Sequence, residues 1–183
     1  MHRNPLLHQL RAYHPADPHE NEMRLRIVEF VGTHADCFER TQPAGHITAS
    51  ALIVNALRTH TLMTHHHKLE KWLQLGGHSD GDPDPLNVAQ REAEEESGVQ
   101  GIRPVSKEIF DVDVHPITAR KNEPEHFHYD IRFLFEADDT HKLTITSESK
   151  DLAWIPVKDI EQYSTEESIL RMVRKLHAHH EKQ

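Results

Sequence analysis

The sequence is short of cysteine, of long apolar runs and of positive charge. One cysteine, Cys37, occurs among 183 residues, so no internal disulfide can form, and we expect a reducing compartment. No segment is apolar enough for a signal peptide or a membrane span, so we expect a cytoplasmic protein that does not bind membranes. The formal net charge is −9 with neutral histidines. Because this charge would repel a polyanion, nucleic acid is not an expected partner.

Histidine, by contrast, is abundant. The chain has 18 histidines, and protonating all of them would change the formal charge from −9 to +9. Since an unperturbed histidine titrates near pH ~6.5, solubility and stability should depend on pH in this range. Three histidines are consecutive, at 65–67. Neighbours on a strand point to opposite faces, so we expect a loop near a phosphate path or plain surface residues there, not one metal site.

Residues 76–99 combine a glycine turn with a helix whose charges lie at the unfavourable end. Asp84 is a suitable N-cap, Pro85 suits the first helical position, and Gly98 is typical of a helix end. The helix dipole disfavours anions in the last turns, by about 0.3–1 kcal/mol for each charge. Those turns nevertheless contain Glu92, Glu94, Glu95 and Glu96.

A bound divalent cation would remove this repulsion. Glu92, Glu95 and Glu96 are spaced i, i+3 and i+4, so their carboxylates converge on one face of the helix. Hard oxygen ligands with positions left for water and phosphate suit Mg²⁺ or Mn²⁺. The alternative is an acidic helix end exposed to solvent. The order of glycine turn, cap, arginine and acids favours the cation.

In this order of residues the segment resembles the box of the Nudix hydrolase family. Gly77 matches the opening glycine of the box. Pro83 stands where the family has its first glutamate, with acids nearby at Asp80, Asp82 and Asp84. This difference concerns the loop and the metal affinity more than the core acids. The closing half of the box matches at Arg91, Glu92, Ala93, Glu95, Glu96, Gly98 and Val99.

The resemblance implies an α/β fold, a Nudix-type α/β/α sandwich with a mixed β-sheet. The Nudix domain would cover residues 46–183, behind an N-terminal helical extension of residues 1–45. The implied activity is metal-dependent hydrolysis of a diphosphate linkage in a small phosphorylated substrate of the nucleoside diphosphate-X type. A homodimer is a candidate assembly, with the oligomeric state left open.

The resemblance also suggests roles for individual residues. Arg91 would hold the glutamates in place and not touch the substrate. Glu148 is the first candidate for the general base, with Glu92 and Glu95 as rivals. The ligands of Mg²⁺ or Mn²⁺ would be the carbonyl of Gly76 and the carboxylates of Glu92, Glu95 and Glu96.

Three alternatives to this function remain open. The nearest is a pyrophosphohydrolase that acts on nucleoside triphosphates. The second is a non-catalytic module of the same fold that only binds a nucleotide, a reading that Pro83 favours and the intact acids oppose. The third is an isomerase of an isoprenoid diphosphate, which would need a catalytic cysteine, whereas Cys37 lies far from the box.

Apolar periodicity predicts the remaining elements. Two helices are expected in the N-terminal extension, the second over residues 18–31. Strands are predicted over 46–55, 56–65, 71–75, 105–114, 126–135, 143–146 and 153–157, with a polar loop over 115–125 and a closing helix over 164–179.

The strand at 126–135 is the clearest in the chain, and its polar residues alternate with apolar ones. His126, His128, Asp130 and Arg132 therefore share one face, which faces either solvent or the substrate cleft. With His78 in the glycine turn, these four are the candidate substrate-binding residues. The His-x-His spacing also occurs in zinc sites, but no matching cysteines accompany it, so a structural zinc is not expected.

Overall fold

The structure is a computed structural model, which describes residues 2–119, 124–146 and 149–180. Within those ranges, every helix is too short or too polar to span a lipid bilayer. The chain forms two compact units, each assembled from separate segments. Unit 1 comprises Met1–Ser50, Gly76–Ala89 and Lys107–Phe133, and unit 2 comprises Ala51–Leu75, Gln90–Ser106 and Leu134–Gln183.

Helices and strands alternate along the described chain. In chain order they are α1 (Asn4–Ala12), α2 (Pro18–Thr33), β1 (Gly45–Val54), β2 (His60–His66), β3 (Lys71–Leu73), β4 (Leu75–His78), α3 (Pro85–Ser97), β5 (Arg103–Pro104), β6 (Asp111–Ile117), β7 (His126–Glu136), β8 (Ser149–Pro156), a 3₁₀ helix (Val157–Gln162) and α4 (Glu167–His180). The strands pair in the order β3-β2-β1-β7-β5, while β4 also pairs with β1, β6 with β7, and β8 with β2. The sheet and its helices confirm the predicted α/β fold.

Both predicted N-terminal helices are present and belong to unit 1. The carboxylate of Asp17 accepts a hydrogen bond from the Glu20 amide at 3.0 Å, which caps α2. Pro18 occupies the first helical position, where its missing N–H costs nothing. The two helices bury apolar side chains at Leu6, Leu10, Met23, Ile27, Phe30 and Val31.

Helix α2 packs on the apolar face of β6 and β7 within unit 1. The Phe30 ring stacks on Tyr129 with centroids 3.9 Å apart and planes 7° apart. The Arg26 guanidinium lies 5.1 Å from the centre of the Phe127 ring. The buried carboxylate of Glu20 accepts a hydrogen bond from the Val112 amide of β6 at 3.2 Å. The N-terminal helices are therefore bonded to the sheet as well as packed on it.

Unit 2 is built around the antiparallel pair β2 and β8. Their register runs from His60 opposite Pro156 to His66 opposite Ser149, so the proline lies at a strand end, as expected. The closing helix is confirmed as α4, although it begins at Glu167 and not at 164. Its core-facing side is formed by Ile169, Met172, Val173 and Leu176.

The predicted strand over 105–114 and the start of the loop predicted after it are wrong in position. The amides of Val105 and Phe110 donate to the β7 carbonyls of Leu134 and Arg132, at 2.9 and 2.8 Å. Val105 and Phe110 are five residues apart, whereas the β7 residues that they contact are only two apart. The segment between Val105 and Phe110 therefore forms a loop and not a strand. Strand β6 begins only at Asp111 and continues through 115–117, which were predicted to start a loop.

The predictions for 143–146 and for the histidine run also need correction. Residues 143–146 do not form a strand, because the Thr144 amide donates to the Ser97 carbonyl at the end of α3, at 2.8 Å. The strand in this region is β8, which begins at Ser149. His65 and His66 are not loop residues, since they close β2 opposite Trp72 and Lys71 of β3.

Candidate active site

Helix α3 begins and ends as the sequence predicts. The Asp84 carboxylate accepts hydrogen bonds from the amides of Leu86 at 3.1 Å and Asn87 at 3.4 Å. At the other end, the Gly98 amide donates to the Glu94 carbonyl at 2.9 Å, and Gly98 has φ +70°. This left-handed conformation suits glycine. The buried residues of the helix include Val88, Ala89 and Ala93.

The predicted metal-binding acids occupy the last turns of α3 around Arg91. Nη1 of Arg91 lies 2.9 Å from Oε1 of Glu92 and 3.8 Å from Oε2 of Glu95. The Glu92 side chain is 17% exposed and that of Glu95 is 63% exposed, so the pair with Glu92 is the better shielded one. Glu96 is half-buried. Arg91 thus orients the Glu92 carboxylate, while the Glu95 carboxylate lies on the exposed surface of the helix.

The glycine turn before α3 is held tightly against β1 in unit 1. A Cβ atom on Gly76 would lie 2.5 Å from the Ala49 carbonyl oxygen and 2.6 Å from Oγ of Ser50. Only glycine allows the backbone to come this close. The role of the Gly76 carbonyl as a metal ligand stays a prediction.

The acids that surround Pro83 are engaged in the loop itself. Asp80 forms a bidentate ion pair with Arg40. The Asp82 carboxylate accepts a hydrogen bond from the Asp84 amide at 2.9 Å and from the side-chain amide of Asn87 at 2.8 Å. These bonds organise the turn that leads into α3 without a glutamate at position 83.

A second polar region lies in unit 1, on one face of three neighbouring strands. There the polar residues alternate with apolar ones on each strand, as expected for a two-residue period. Strand β1 contributes His46, Thr48 and Ser50, β6 contributes Asp111, Asp113 and His115, and β7 contributes His126, His128, Asp130 and Arg132. The predicted stripe on β7 therefore continues onto strands whose contribution the sequence analysis did not recognise.

Arg132 and Asp130 of this face belong to a buried ion-pair network. The Arg132 guanidinium lies 2.7 Å from Asp130, 3.2 Å from Asp113 and 3.4 Å from Asp111. Burial alone would lower the pKa of Arg132, but the three carboxylates outweigh it and raise the pKa above its ordinary value. The guanidinium is therefore charged at any physiological pH.

Hydroxyl groups complete the network. Oγ of Ser50 donates to Asp130 at 2.9 Å, and Oγ1 of Thr48 donates to the same carboxylate at 3.0 Å. Asp130 and Arg132 are each 2% exposed, so the alternative that this part of the stripe faces solvent is wrong. Charges this deeply buried are stable only when paired and hydrogen-bonded.

Histidines occupy the other end of the polar face. Those of β1, β4 and β7 lie close together, with ring centroids 5.0 Å apart for His46 and His78, 4.8 Å for His46 and His128, and 4.9 Å for His78 and His128. Burial, then Arg40 and His46, lower the pKa of His78 to about 4. Burial, then His78 and other histidines, lower the pKa of His128 to about 2. Both rings are neutral at neutral pH.

The structure brings together some of the predicted site residues and not others. His78 and His128 lie in the histidine cluster, and the His126 ring lies next to His128. Asp130 and Arg132 form the ion-pair network in the same unit. Glu148 lies outside the described residues, so its role as general base stays a prediction. The contributions of β1 and β6 were not predicted, although polar and apolar residues alternate at 46–51 and 111–115, which is a signal of a two-sided strand.

Comparison with known proteins identifies the family. The NUDIX domain model matches residues 45–176. The chain therefore belongs to the NUDIX domain family. No curated protein matches the sequence.

Several solved structures share the fold. A C. elegans Ap4A hydrolase complex has a TM-score of 0.60 at 15% identity, over 75% of this chain and 98% of that chain. The MutT protein from Methanosarcina mazei Go1 has a TM-score of 0.56 at 18% identity, over 73% and 94%. A NUDIX-family hydrolase from Clostridium perfringens has a TM-score of 0.53 at 24% identity, over 73% and 97%.

Proposed function

We propose that the protein is a metal-dependent pyrophosphohydrolase that cleaves a diphosphate linkage in a nucleoside diphosphate-X substrate. The observation that supports this most directly is the arrangement on α3, where Arg91 lies between Glu92 and Glu95. An acidic helix end without a ligand would be unfavourable, because the helix dipole repels anions at this terminus. The family match over residues 45–176 provides the chemical context.

The donor set of α3 fits Mg²⁺ or Mn²⁺. Glu92, Glu95 and Glu96 offer carboxylate oxygens, which are the ligands these ions prefer. Glu92 is oriented by Arg91 and is mostly shielded from solvent, so one ligand is held in place before an ion binds. A bound divalent ion would neutralise the oxygens of a diphosphate and lower the pKa of a coordinated water.

The chain's own residues would then divide the remaining work. Arg91 acts as a positioning residue, because it contacts two of the acids on its own helix. A carboxylate must also accept the proton of the attacking water. Glu148 is our first candidate for this general base, and Glu92 and Glu95 are the rivals. If Glu148→Gln keeps the wild-type pH profile of kcat/KM, and a variant of Glu92 or Glu95 changes that profile, the general base is the rival residue and not Glu148.

The test of the function is a panel of substrates assayed with Mg²⁺, with Mn²⁺ and with a chelator. The panel contains nucleotide sugars, dinucleoside polyphosphates such as Ap4A, and nucleoside triphosphates. We expect phosphomonoester products from a nucleoside diphosphate-X compound and no turnover with the chelator. Exclusive turnover of triphosphates would favour the runner-up activity, hydrolysis of nucleoside triphosphates.

The role of the acids is tested by Glu96→Gln, with Glu94→Gln as the matched control on the same helix. Losing a metal-binding carboxylate should reduce kcat/KM by about 10²–10⁴-fold, while Glu94→Gln should stay near the wild-type rate. Circular dichroism should show the same fold in both variants. Full activity in Glu96→Gln would show that this assignment of the acids is wrong.

The non-catalytic alternative is distinguished by the same assays. It would predict saturable nucleotide binding by calorimetry without any phosphomonoester product, for every substrate and metal in the panel. Pro83 is the feature of the sequence that favours it. The loop around that residue is nevertheless held by hydrogen bonds to the carboxylates of Asp82 and Asp84, so the turn leads into α3 without the glutamate.

A further inference from the structure

The histidine cluster of unit 1 is the strongest candidate for a site that the hydrolase chemistry does not use. It brings together His46 from β1, His78 from the end of β4 and His128 from β7. Each residue offers a ring nitrogen, and these three nitrogens lie within 4.8 Å of one another. The residues are more than 30 positions apart in sequence, so no short motif could reveal the set.

The ring positions match those of imidazoles around a single metal ion. With Zn–N bonds of about 2.0–2.1 Å, three imidazoles at tetrahedral angles have their ring centroids about 5.2 Å apart. The observed separations are 4.8, 4.9 and 5.0 Å. The nitrogens themselves must approach to about 3.4 Å, and rotation about the soft torsion of each histidine ring can achieve this.

The scaffold holds these rings in place on strands. His46 is only 2% exposed, and the other two are half-buried. One ligand of the ion is therefore shielded from solvent, while the other two remain partly accessible to it. Sites on regular elements keep their ligand geometry better than sites on loops. Strand β4 pairs with β1, and β1 lies next to β7 in the sheet, so the three ligands come from adjacent strands.

Two further histidines lie next to the trio. Nδ1–H of His126 donates to the Pro124 carbonyl at 2.9 Å. Its ring lies 5.0 Å from that of His46. Nδ1 of His115 lies 3.7 Å from the Asp113 carboxylate, and its ring is 5.4 Å from that of His128. The imidazole environment of the trio therefore extends to five histidines of unit 1.

We propose that His46, His78 and His128 bind one Zn²⁺ ion through three imidazole nitrogens and leave a further position open. Imidazoles suit zinc and its neighbours in the transition series, whereas carboxylates suit Mg²⁺ and Mn²⁺. The site therefore differs in ligand chemistry from the acids of α3, and it goes beyond the proposed function. From the sequence, no zinc was expected at the His-x-His motif because no cysteines accompany it. The partners proposed here for His128 are instead histidines from other strands.

The first experiment is a titration of untagged, chelator-treated protein with Co²⁺ and then Zn²⁺. We expect one tight equivalent, seen as visible absorption bands of Co²⁺ in nitrogen coordination, and loss of these bands when one equivalent of Zn²⁺ is added. Excess Mg²⁺ should leave the bands unchanged. A spectrum of hexa-aquo Co²⁺, or displacement of Co²⁺ by Mg²⁺, would overturn the proposal.

Variants then locate the site. His128→Asn and His78→Asn should each weaken Zn²⁺ binding on the order of 100-fold, since each removes one of three ligands. The matched control is the double variant His67→Asn/His141→Asn, which removes two exposed histidines outside the cluster and should bind as the wild type does. Wild-type affinity in both cluster variants, or equal loss in the control, would contradict the assignment.

A spectroscopic measurement on the wild type keeps the test independent of how the variants fold. X-ray absorption at the zinc edge, with one equivalent of Zn²⁺ bound, should show the scattering pattern of about three imidazoles. A shell of oxygen ligands without that pattern would place the ion on carboxylates and overturn the proposal, even if pyrophosphohydrolase activity is found. Conversely, three imidazoles on zinc would support the site if no hydrolysis is detected.

Discussion

Replacing Arg132 by methionine should strongly destabilise the protein. The guanidinium is 3% exposed and is the shared partner of Asp111, Asp113 and Asp130. Methionine replaces the aliphatic stem of arginine but has no guanidinium and no charge, so three shielded carboxylates would lose that partner. Removing one member of a buried ion pair typically costs about 3–5 kcal/mol. Against a total stability of about 5–15 kcal/mol for a domain, this is a large fraction.

The assay is urea unfolding at pH 7, followed by circular dichroism and tryptophan fluorescence. The matched control is Arg103→Met, which removes an ion pair with Glu136 whose arginine is 77% exposed and should change the free energy of unfolding by less than about 1 kcal/mol. Arg132→Lys should fall between the two variants, because lysine keeps the charge but cannot reach three carboxylates with a planar fork.

The reasoning would be refuted if Arg132→Met cost no more than Arg103→Met. That result would mean that the carboxylates find water or protons in the folded state, so that the network does not depend on the arginine. A variant that fails to fold at pH 7 would agree with the expected loss, and Arg132→Lys would then provide the measurable difference.

Two further predictions concern the helix cap and pH. Asp84→Ala removes the carboxylate that caps α3 and should cost about 1 kcal/mol in thermal or urea unfolding, whereas Asp84→Asn should keep most of the stability. His78 and His128 have folded-state pKa values lowered to about 4 and about 2. Below pH ~6.5 the unfolded chain therefore binds more protons, so stability falls as pH falls, by about 3 kcal/mol in total between pH 7.5 and 5.5. Urea midpoints of metal-free protein should show this loss, and His128→Asn should remove about half of it; an identical pH dependence in that variant would contradict the cause.

The helix of the box and its cap could be predicted from sequence because their signals are local. Asp84, Pro85 and Gly98 act within a few residues of themselves, and the structure confirms the helix they delimit. The alternation on β7 was equally legible. Apolar spacing located α2 over residues 18–31, and the structure begins this helix at Pro18 with Asp17 as its cap.

The polar face of unit 1 depends on strand pairing, which a single sequence does not specify. The register that places His115 opposite His128 and Asp113 opposite Asp130 is a property of two strands together. The sequence of β7 is therefore compatible with either a surface or a cleft, because the hydroxyls of Thr48 and Ser50 that donate to Asp130 come from β1. Apolar content alone also misplaced the strand near 143–146, where a hydrogen bond to the end of α3 competes with sheet pairing.

The hydrogen bond that the Val112 amide donates to Glu20 ties the N-terminal helix α2 to strand β6. The family match begins at residue 45. The aromatic side chains of Phe127 and Tyr129 are nevertheless covered by Arg26 and Phe30 of α2. A fragment that begins at residue 45 would expose that surface and lose the Glu20 carboxylate, which accepts a hydrogen bond from the Val112 amide. We therefore expect a stably folded fragment to need the N-terminal helices in addition to the residues of the family match.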